Sequence, residues 1–499
     1  MTAKQYFADP LRSNRMLSSS EEAVIRSSYW ATDSSISQLE FQMRDLLLRR
    51  NALCNHRQML ATLLSPIRRL PPELLSEIFH NCLPQNYDGE AAHKAVMLPS
   101  HVCQHWRDVA LSTPTLWTNI VLRVTDKNFE SRVALVTTWF SRSGGSPLSF
   151  TLKGYENVQP IIAFLLQHCN RWQCINLSVP FNTLRCLETA KGHLQRLEIL
   201  QIDTHTRGDP ASPYSAEHIF ESAPRLWKVS LDCRFMWNGP SGSWAQLAEL
   251  DAGGASCTTG DCLALLQSMQ NLRKLRIYVG SGVVEGHRCF VHPLVSLHLL
   301  GKHHILDHIT LPSLCNLSVD EIDFGWPHFQ FISFLERSAP PLRSFSFEVP
   351  MEIDSIWHDN IIQILQHMSS LHSLCLMCNC CEVGDICSFM RRLSPRTLEN
   401  GRVDSLIPKL NAVSIWLGSQ FIHTDYDALK EMVISRHSLP RNTNAGDNVS
   451  HPVERIKEVE VKCSFEDYEE DFGTTWHEEV SEILAPLQGV VDTLRVVIS

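Results

Sequence analysis

The sequence predicts an α/β protein with a long N-terminal helix, a small helical module and a large domain built on a parallel sheet. Three observations predict this architecture. Leucines recur at every seventh residue from Leu39 to Leu60, and two amphipathic segments bounded by prolines lie between Pro66 and Ile120. A short apolar motif then returns many times toward the C-terminus. Helices and strands repeat with different periods, so these spacings assign a type to each element.

Composition limits the classes of protein that the chain can belong to. Of its 499 residues, 44% are hydrophobic and 20% are charged, as in globular proteins of more than one domain. The net charge of −10 argues against a nucleic-acid partner, because phosphate binding needs clustered Lys and Arg. No apolar run is long enough for a membrane helix or a signal peptide, and 17 cysteines are too sparse for a disulfide scaffold. We therefore expect a soluble protein of the cytoplasm or nucleus that binds neither membranes nor nucleic acid.

The N-terminal region divides into a tail and a helix. Residues 1–33 are polar and rich in serine, which predicts a flexible tail. An amphipathic helix is predicted over residues 34–65, with a leucine at every seventh position: Leu39, Leu46, Leu53 and Leu60. Its companion positions hold Ile36 and Met43, then Arg50 and Arg57, where a long coiled coil has apolar residues. The helix therefore either forms a homodimer or folds back on its own chain.

Two more helices are predicted between residues 66 and 123. Pro71 and Pro72 can begin the first one, since the N–H groups of a first helical turn have no internal partner, and Glu73 is favoured there by the helix dipole. Apolar residues then follow at helical spacing: Leu74, Leu75, Ile78, Phe79 and Cys82. The second helix ends at Pro114 and is marked by Val102, Cys103, Trp106, Val109 and Ala110.

The segments LPPELLSEIF and VCQHWRDVALSTPTLW resemble the two halves of the F-box, in the form found in long F-box proteins of mushroom-forming fungi. The amphipathic helix over residues 34–65 commonly precedes the F-box in that family. An F-box docks on a Skp-type adaptor and, through it, on the cullin of a ubiquitin ligase. The resemblance therefore implies an adaptor-binding surface formed by Leu70, Pro71, Pro72, Glu73, Leu74, Leu75, Ile78 and Phe79 in the first half, and by Val102, Cys103, Trp106 and Arg107 in the second. His101 departs from the family pattern, in which many members have Arg.

A repeated apolar motif follows the F-box. Each copy has an apolar residue, two others, an apolar residue, one other and an apolar residue, as in Leu197/Leu200/Ile202. Copies that begin between Leu197 and Leu371 are separated by 29, 21, 25, 22, 20, 28 and 29 residues, the copy at Leu247 being weaker. Further copies begin at Trp117, Trp172, Leu410, Ile456 and Val491. This spacing is typical of leucine-rich repeats.

Several segments between the copies are predicted to be helical: Ile161–His168, Cys262–Met269, Phe331–Leu335, Ile361–Met368, Ala428–Ile434 and Val480–Leu487. Strands joined by such helices form right-handed crossovers in a parallel sheet. Residues 124–499 therefore resemble a degenerate leucine-rich-repeat solenoid. The asparagine expected after each strand occurs only at Asn379, and the spacing widens to 39, 46 and 35 residues after Leu371. A less regular α/β sheet domain remains the alternative.

Other clusters give weaker predictions. Trp237, Trp244 and Trp326 are candidate exposed anchors for a protein partner or, equally, caps of the core. A cluster of cysteines has two interpretations, zinc ligands or reduced structural thiols, and the second carries more weight. Its members are Cys375, Cys378, Cys380, Cys381 and Cys387. The histidines His303, His304 and His308 give an equally weak metal signal. A cluster of acidic residues is expected to form a solvated loop or, alternatively, a site for a basic degron. It consists of Glu466, Asp467, Glu469, Glu470 and Asp471.

Catalytic motifs such as GxSxG, the Walker loop, GxGxxG and HExxH are missing from the sequence, and we expect no cofactor or metal. The pattern therefore favours a non-catalytic adaptor of a Skp–cullin–F-box ubiquitin ligase. Its F-box would bind the Skp-type adaptor and its repeat domain a protein substrate. The alternative is a protein-interaction scaffold outside any ligase, which dimerises through the helix over residues 34–65.

Overall fold

A computed structural model of the chain describes residues 16–84, 90–155, 158–204, 217–220, 222–232, 244–280, 282, 289–320, 328–349, 355–378, 383–397, 403–417, 426–439, 453–463 and 470–498. These residues belong to two compact units, Met1–Asn81 and Cys82–Ser499.

The first unit contains two helices, α1 (Ser19–Leu63) and α2 (Pro72–Asn81), with a 3₁₀ turn at Pro66–Arg69 between them. A capping box starts α1: the Glu21 amide donates to the Ser18 hydroxyl at 3.3 Å, and the Ser18 amide donates to the Glu21 carboxylate at 2.9 Å. The helix therefore begins at Ser19 and includes residues that the sequence pattern assigned to the tail. Residues 1–15 lie outside the described part of the chain.

Eleven helices of the second unit follow in the described residues, and we number them in chain order. They are α3 Glu90–Met97, α4 Gln104–Ser112, α5 Phe129–Arg142, α6 Gln159–Leu166, α7 Glu217–Phe220, α8 Thr259–Ser268, α9 His328–Ser338, α10 Ser355–Gln366, α11 Val383–Leu393, α12 Asp427–His437 and α13 Glu470–Leu484. Short 3₁₀ turns occur at Leu98–His101, Pro114–Trp117, Cys169–Arg171, Phe181–Ala190, His304–Asp307 and Ala485–Leu487.

A 14-stranded sheet forms the framework of the second unit, and its strands pair in the order in which they occur in the chain. They are β1 Asn119–Val124, β2 Leu148–Gly154, β3 Trp172–Ser178, β4 Ile199–Asp203, β5 Lys228–Asp232, β6 Glu249–Cys257, β7 Lys274–Val279, β8 Ser296–Gly301, β9 Asn316–Asp320, β10 Ser344–Glu348, β11 Ser373–Cys378, β12 Ala412–Leu417, β13 Glu458–Cys463 and β14 Thr493–Ile498. All neighbouring pairs are parallel. The α/β fold class is thereby confirmed.

The apolar motif explains the register of the sheet. Equivalent motif positions pair across neighbouring strands, as when Leu200 and Ile202 in β4 lie beside Val229 and Leu231 in β5. Every strand of the sheet except β2 coincides with a predicted copy. In β2 the apolar residues simply alternate from Leu148, and the residue three positions before Phe150 is Pro147, so the motif is not recognisable.

Apolar side chains on one face of the strands pack with the crossover segments to form the core. All six predicted crossover helices are present in the structure. Helix α5 was not predicted, although its Val136, Trp139 and Phe140 are buried at helical spacing. None of the helices in the described part of the chain is both long and apolar enough to cross a membrane.

Candidate functional site

Helix α2 carries two apolar pairs with different environments. Leu75 and Phe79 are buried, with 0% and 2% of their surface exposed. Leu74 and Ile78 precede them by one residue each and are 52% and 39% exposed. Residues four apart share one face of a helix, so the two pairs define a core face and a free face. Pro71 is exposed just before the helix, Pro72 and Glu73 are exposed in its first turn, and Leu70 is half-buried.

The segment around α4 also divides into free and buried positions. Val109 and Ala110 are buried, whereas Val102 is 60% exposed and Cys103 is exposed just before the helix. Trp106 is half-buried. Arg107 is exposed, but its Nε donates a hydrogen bond of 2.8 Å to the carbonyl of Ser100 and so fixes the preceding turn.

The exposed apolar side chains near α4 include Leu98, which was not among the residues predicted to bind the adaptor. Leu98 is 64% exposed, and it lies four residues before Val102. Leu98 begins the LPSHVC segment, and its spacing from Val102 is the sequence signal that could have identified it as a member of this exposed set.

Aromatic side chains join α4 to the first strand of the sheet. The Trp117 indole donates to the Ala110 carbonyl at 2.9 Å, and its ring lies 4.7 Å from that of Trp139 in α5. The Trp139 indole donates to the Asn119 carbonyl of β1 at 3.0 Å. Two further groups complete the joint: the Val121 amide donates to His93 Nε2 at 2.9 Å, and the Arg142 guanidinium lies 4.5 Å from the centre of the Trp117 ring.

The outward-facing side chains of the strands form a second candidate surface, which we term the strand face. Its central row consists of residues that alternate with buried motif positions and pair from strand to strand: Asn176, Gln201, Ser230, Asp251, Arg276, His298, Ser318, Ser346, Cys375, Ser414, Glu460 and Arg495. The row is mostly polar. It therefore has the composition of a surface that remains in contact with water.

Charges on the strand face are paired across β5 to β9. Glu249 accepts from Lys228 at 3.1 Å and from Lys274 at 2.5 Å. Burial alone would raise the pKa of Glu249, but the hydrogen bonds and charges of the two lysines outweigh it and lower the pKa. Next along the sheet, the His298 Nε2 lies 2.6 Å from an Asp320 carboxylate oxygen. These contacts order the surface before any partner arrives.

Trp416 is the large aromatic residue that the strand face exposes on β12. It is 42% exposed, and the Lys462 ammonium of β13 lies 4.9 Å from the centre of its ring. Its partners on the neighbouring strands are Met377 of β11 and Lys462 of β13. Trp416 was not among the aromatic residues predicted to be exposed, although alternation with the buried Ile415 places it on the outer face.

The predicted aromatic anchors have different outcomes. Trp244 is only 3% exposed, so its interpretation as an exposed anchor is wrong, and its indole belongs to the core. Trp237 and Trp326 lie outside the described residues.

Two of the clustered cysteines are buried in β11, Cys378 on the core side and Cys375 within the central row of the strand face. Cys375 and Cys378 are 8% and 0% exposed, and burial raises the pKa of the Cys375 thiol to about 12, so it remains a neutral thiol. Cys380 and Cys381 lie outside the described residues, as does Asn379, and Cys387 belongs to α11. No group of potential metal ligands occurs within the described part of the chain.

The histidine and acidic clusters are dispersed among different environments. His303 is buried and His304 is exposed, at the start of the turn that connects β8 and β9. Glu466, Asp467 and Glu469 fall outside the described residues. Glu470 and Asp471 begin α13, so part of the predicted acidic loop is helical.

Comparison with known proteins identifies one part of the chain. Residues 67–123 match the family model described as F-box-like, which covers α2, α4 and most of β1. No curated protein matches the chain. The segment from Ile67 to Arg123 is therefore an F-box-like domain, and its last residues belong to a strand of the sheet.

Proposed function

We propose that the protein is the substrate-recognition subunit of a Skp–cullin–F-box ubiquitin ligase. The observation that carries this proposal is the F-box-like match over residues 67–123, in a segment that leaves apolar side chains exposed. The role is non-catalytic, and we place the protein in the cytoplasm or nucleus. The likeness of the segment to fungal F-box proteins supports the same role.

The adaptor-binding residues follow from exposure. We assign Leu74 and Ile78 of α2, and Leu98, Val102 and Cys103 before α4, to contacts with a Skp-type adaptor. An apolar side chain that is free in the isolated chain gains the most from burial in a partner. Of the residues first selected for docking, Leu75 and Phe79 are already buried, so we assign them to the core that supports the surface.

We propose further that the sheet domain is a degenerate leucine-rich-repeat array whose strand face binds a protein substrate. Sequential parallel strands and motif spacings between 20 and 29 residues support this assignment. Repeat arrays present long, ordered surfaces suited to protein partners. Trp416 is the anchor that we expect at the centre of the contact, because exposed indoles dominate binding energies at protein interfaces.

The mechanism is an increase in effective concentration. One surface holds the ligase and another holds the substrate, so the transfer of ubiquitin to a substrate lysine takes place within one complex. The aromatic joint of Trp117 and Trp139 ties the C-terminal part of the F-box-like domain to the sheet. This joint holds the segment from α4 to Trp117 against the first strand of the sheet.

The test is a pull-down of the intact chain from a lysate that contains the adaptor and cullin, beside a Leu74→Asp, Ile78→Asp variant. The wild-type chain is expected to recover both proteins and the variant neither, since two charges on the free face of α2 cannot be buried without a counter-charge. Because both positions are exposed, the variant is expected to keep the thermal unfolding midpoint of the wild type.

Phe329→Asp is the matched control, because Phe329 is 81% exposed in α9, outside the F-box-like domain. It introduces the same charge at an exposed apolar position and is expected to leave recovery unchanged. If the wild-type chain recovers neither adaptor nor cullin, the ligase function is excluded in favour of the non-ligase scaffold. Recovery of the adaptor without cullin would also favour the scaffold.

A further inference from the structure

Helix α1 has a long apolar surface that nothing in the described structure covers. It has 45 residues, none of them buried. The leucines of its seven-residue repeat, Leu39, Leu46, Leu53 and Leu60, are 60%, 63%, 69% and 47% exposed. Ile36 and Met43, at the companion positions, are 49% and 62% exposed. Together these side chains form a continuous seam along one side of the helix.

Such a helix needs a partner. A 45-residue helix is about 68 Å long, and isolated helices gain most of their stability from packing an amphipathic face. Internal ion pairs join Glu22 to Arg26 and Asp45 to Arg49, but exposed pairs of this kind contribute only about 0.3–0.5 kcal/mol each. They cannot replace the burial of six large apolar side chains.

The charge distribution along α1 indicates what the partner is. The N-terminal half, residues 19–41, contains Glu21, Glu22, Asp33 and Glu40 with a single base, Arg26. The C-terminal half, residues 42–63, reverses this pattern and contains Arg44, Arg49, Arg50 and Arg57 with a single acid, Asp45. The helix is therefore complementary to a copy of itself that runs in the opposite direction.

The two arginines of the seam select the same direction. In a parallel pair, equal positions face each other, so each copy of Arg50 would meet Arg50 and each copy of Arg57 would meet Arg57. Among the described residues neither arginine forms an ion pair, and the same is true of Asp33 and Glu40. Two layers of facing like charges would therefore oppose parallel pairing.

An antiparallel pair removes this conflict, because companion positions then face the leucine positions of the other helix. One register sets Ile36 against Leu53, Met43 against Leu46 and Arg50 against Leu39. In the same register Arg57 meets Thr32. Glu40 directly follows Leu39 and Asp33 directly follows Thr32, so each seam arginine meets a carboxylate of the second copy.

We propose that α1 pairs with α1 of a second copy of the chain as an antiparallel coiled coil, with Arg50 against Glu40 and Arg57 against Asp33. The occupant of the apolar seam is thus an identical helix. The inference does not depend on the ligase function, because an adaptor-binding scaffold would dimerise in the same way.

The test is sedimentation of the full-length chain over a dilution series, with Glu40→Arg and Glu40→Arg/Arg50→Glu variants. The wild-type chain is expected to have twice the mass of the 56.7-kDa monomer and to dissociate on dilution. Glu40→Arg is expected to raise the dimer Kd about tenfold, because two symmetry-related contacts change from attraction to repulsion. The double variant exchanges the charges and is expected to restore the wild-type Kd.

Gln38→Arg is the control, since it adds the same charge two residues away, at a position that does not face the seam. It is expected to leave the Kd within about twofold of the wild-type value. A wild-type chain that is monomeric at every concentration overturns the proposal. A dimer whose Kd is insensitive to Glu40→Arg, or is not restored in the double variant, overturns the antiparallel register. Recovery of the Skp-type adaptor is a separate measurement, so the two hypotheses fail independently.

Discussion

Single residues in α2 show how one short helix supplies both a core face and a free face. Leu74 and Leu75 are neighbours of the same type, yet one is 52% exposed and the other 0%. The helical twist of about 100° per residue separates them. An apolar segment this dense does not reveal from sequence which leucine binds a partner. Burial decides it, and only the exposed leucine can bind a partner without partial unfolding.

His303 gives the second unit a predictable response to acid. Burial lowers the pKa of His303 from about 6.5 to about 4, and the nearby positive groups His304 and Lys302 act in the same direction, while Asp320 opposes them. The folded state therefore binds this proton less readily than the unfolded state does. Between pH 6.5 and 4 the unfolded state carries more protons, so stability falls as the pH is lowered through that range.

We expect His303→Gln to flatten the pH dependence of unfolding. Acidification from pH 7 to 4 lowers the free energy of unfolding of the wild-type chain by up to about 3 kcal/mol, because His303 is protonated less readily in the folded state. The variant lacks that contribution. Urea unfolding at several pH values measures the slope. His304→Gln, at the exposed neighbour, is the control and is expected to retain most of the wild-type slope, because burial is the largest cause of the His303 shift. An unchanged slope in His303→Gln would assign the acid response to other groups.

At the scale of elements, the strands present a regular face on which one aromatic side chain stands out. We predict that Trp416→Ala reduces the recovery of substrate proteins from a lysate by severalfold, because exposed indoles are frequent anchors of protein interfaces. Recovery of the Skp-type adaptor is expected to remain at the wild-type level. The measurement is quantitative mass spectrometry of the proteins bound to each variant.

Phe329→Ala is the matched substitution for this experiment. Phe329 is the more exposed side chain, at 81% against 42%, but it belongs to helix α9 rather than to a strand. Its removal is expected to leave the set of recovered proteins unchanged. Equal losses in the two variants would indicate nonspecific apolar binding, and no loss in Trp416→Ala would exclude this residue as the anchor.

Regular elements were predictable from the sequence because their apolar residues repeat at fixed spacing. The Leu–Leu–Ile pattern of Leu197, Leu200 and Ile202 predicts β4. Similar patterns predict all the remaining strands of the sheet except β2. The β2 strand was missed because Pro147 occupies the first motif position before Phe150. Local periodicity therefore predicted most of this fold.

Environment was less predictable than secondary structure. Trp244 lies near a glycine-rich sequence, which suggested exposure, but it is only 3% exposed. The start of α1 was predicted too late, because residues 19–33 are polar on most sides and only the capping box at Ser18 and Glu21 marks the beginning. Burial depends on contacts between distant segments, and a single sequence does not display them.

At the scale of the whole molecule, the end of the F-box-like match does not coincide with a structural boundary. The match ends at residue 123, inside β1, and β1 pairs with β2 along its whole length from Asn119 to Val124. The second compact unit begins earlier, at Cys82. The domain boundary predicted between residues 123 and 124 therefore cuts through β1, the first strand of the sheet.

This arrangement predicts different behaviour for two fragments. Residues 82–499 retain β1 with the aromatic joint, and we expect this fragment to unfold in a single cooperative transition. Residues 124–499 lack β1, which leaves the edge of β2 unpaired and exposes core residues such as Leu148 and Phe150. We expect the shorter fragment to aggregate or to unfold at a midpoint lower by roughly 10 °C or more.

Calorimetry of the two fragments tests whether the last part of the F-box-like domain folds together with the sheet. A full-length Trp117→Ala chain supplies the same comparison without truncation, because removal of a buried tryptophan costs about 3–5 kcal/mol and weakens the joint directly. If residues 124–499 and 82–499 unfold at the same midpoint, β1 contributes nothing to the sheet, and the F-box-like domain is an independent module. If the midpoints differ as expected, part of the proposed adaptor-binding region and the strand face share one core. Any substrate held on the strands is then positioned relative to that region by the fold rather than by a flexible linker.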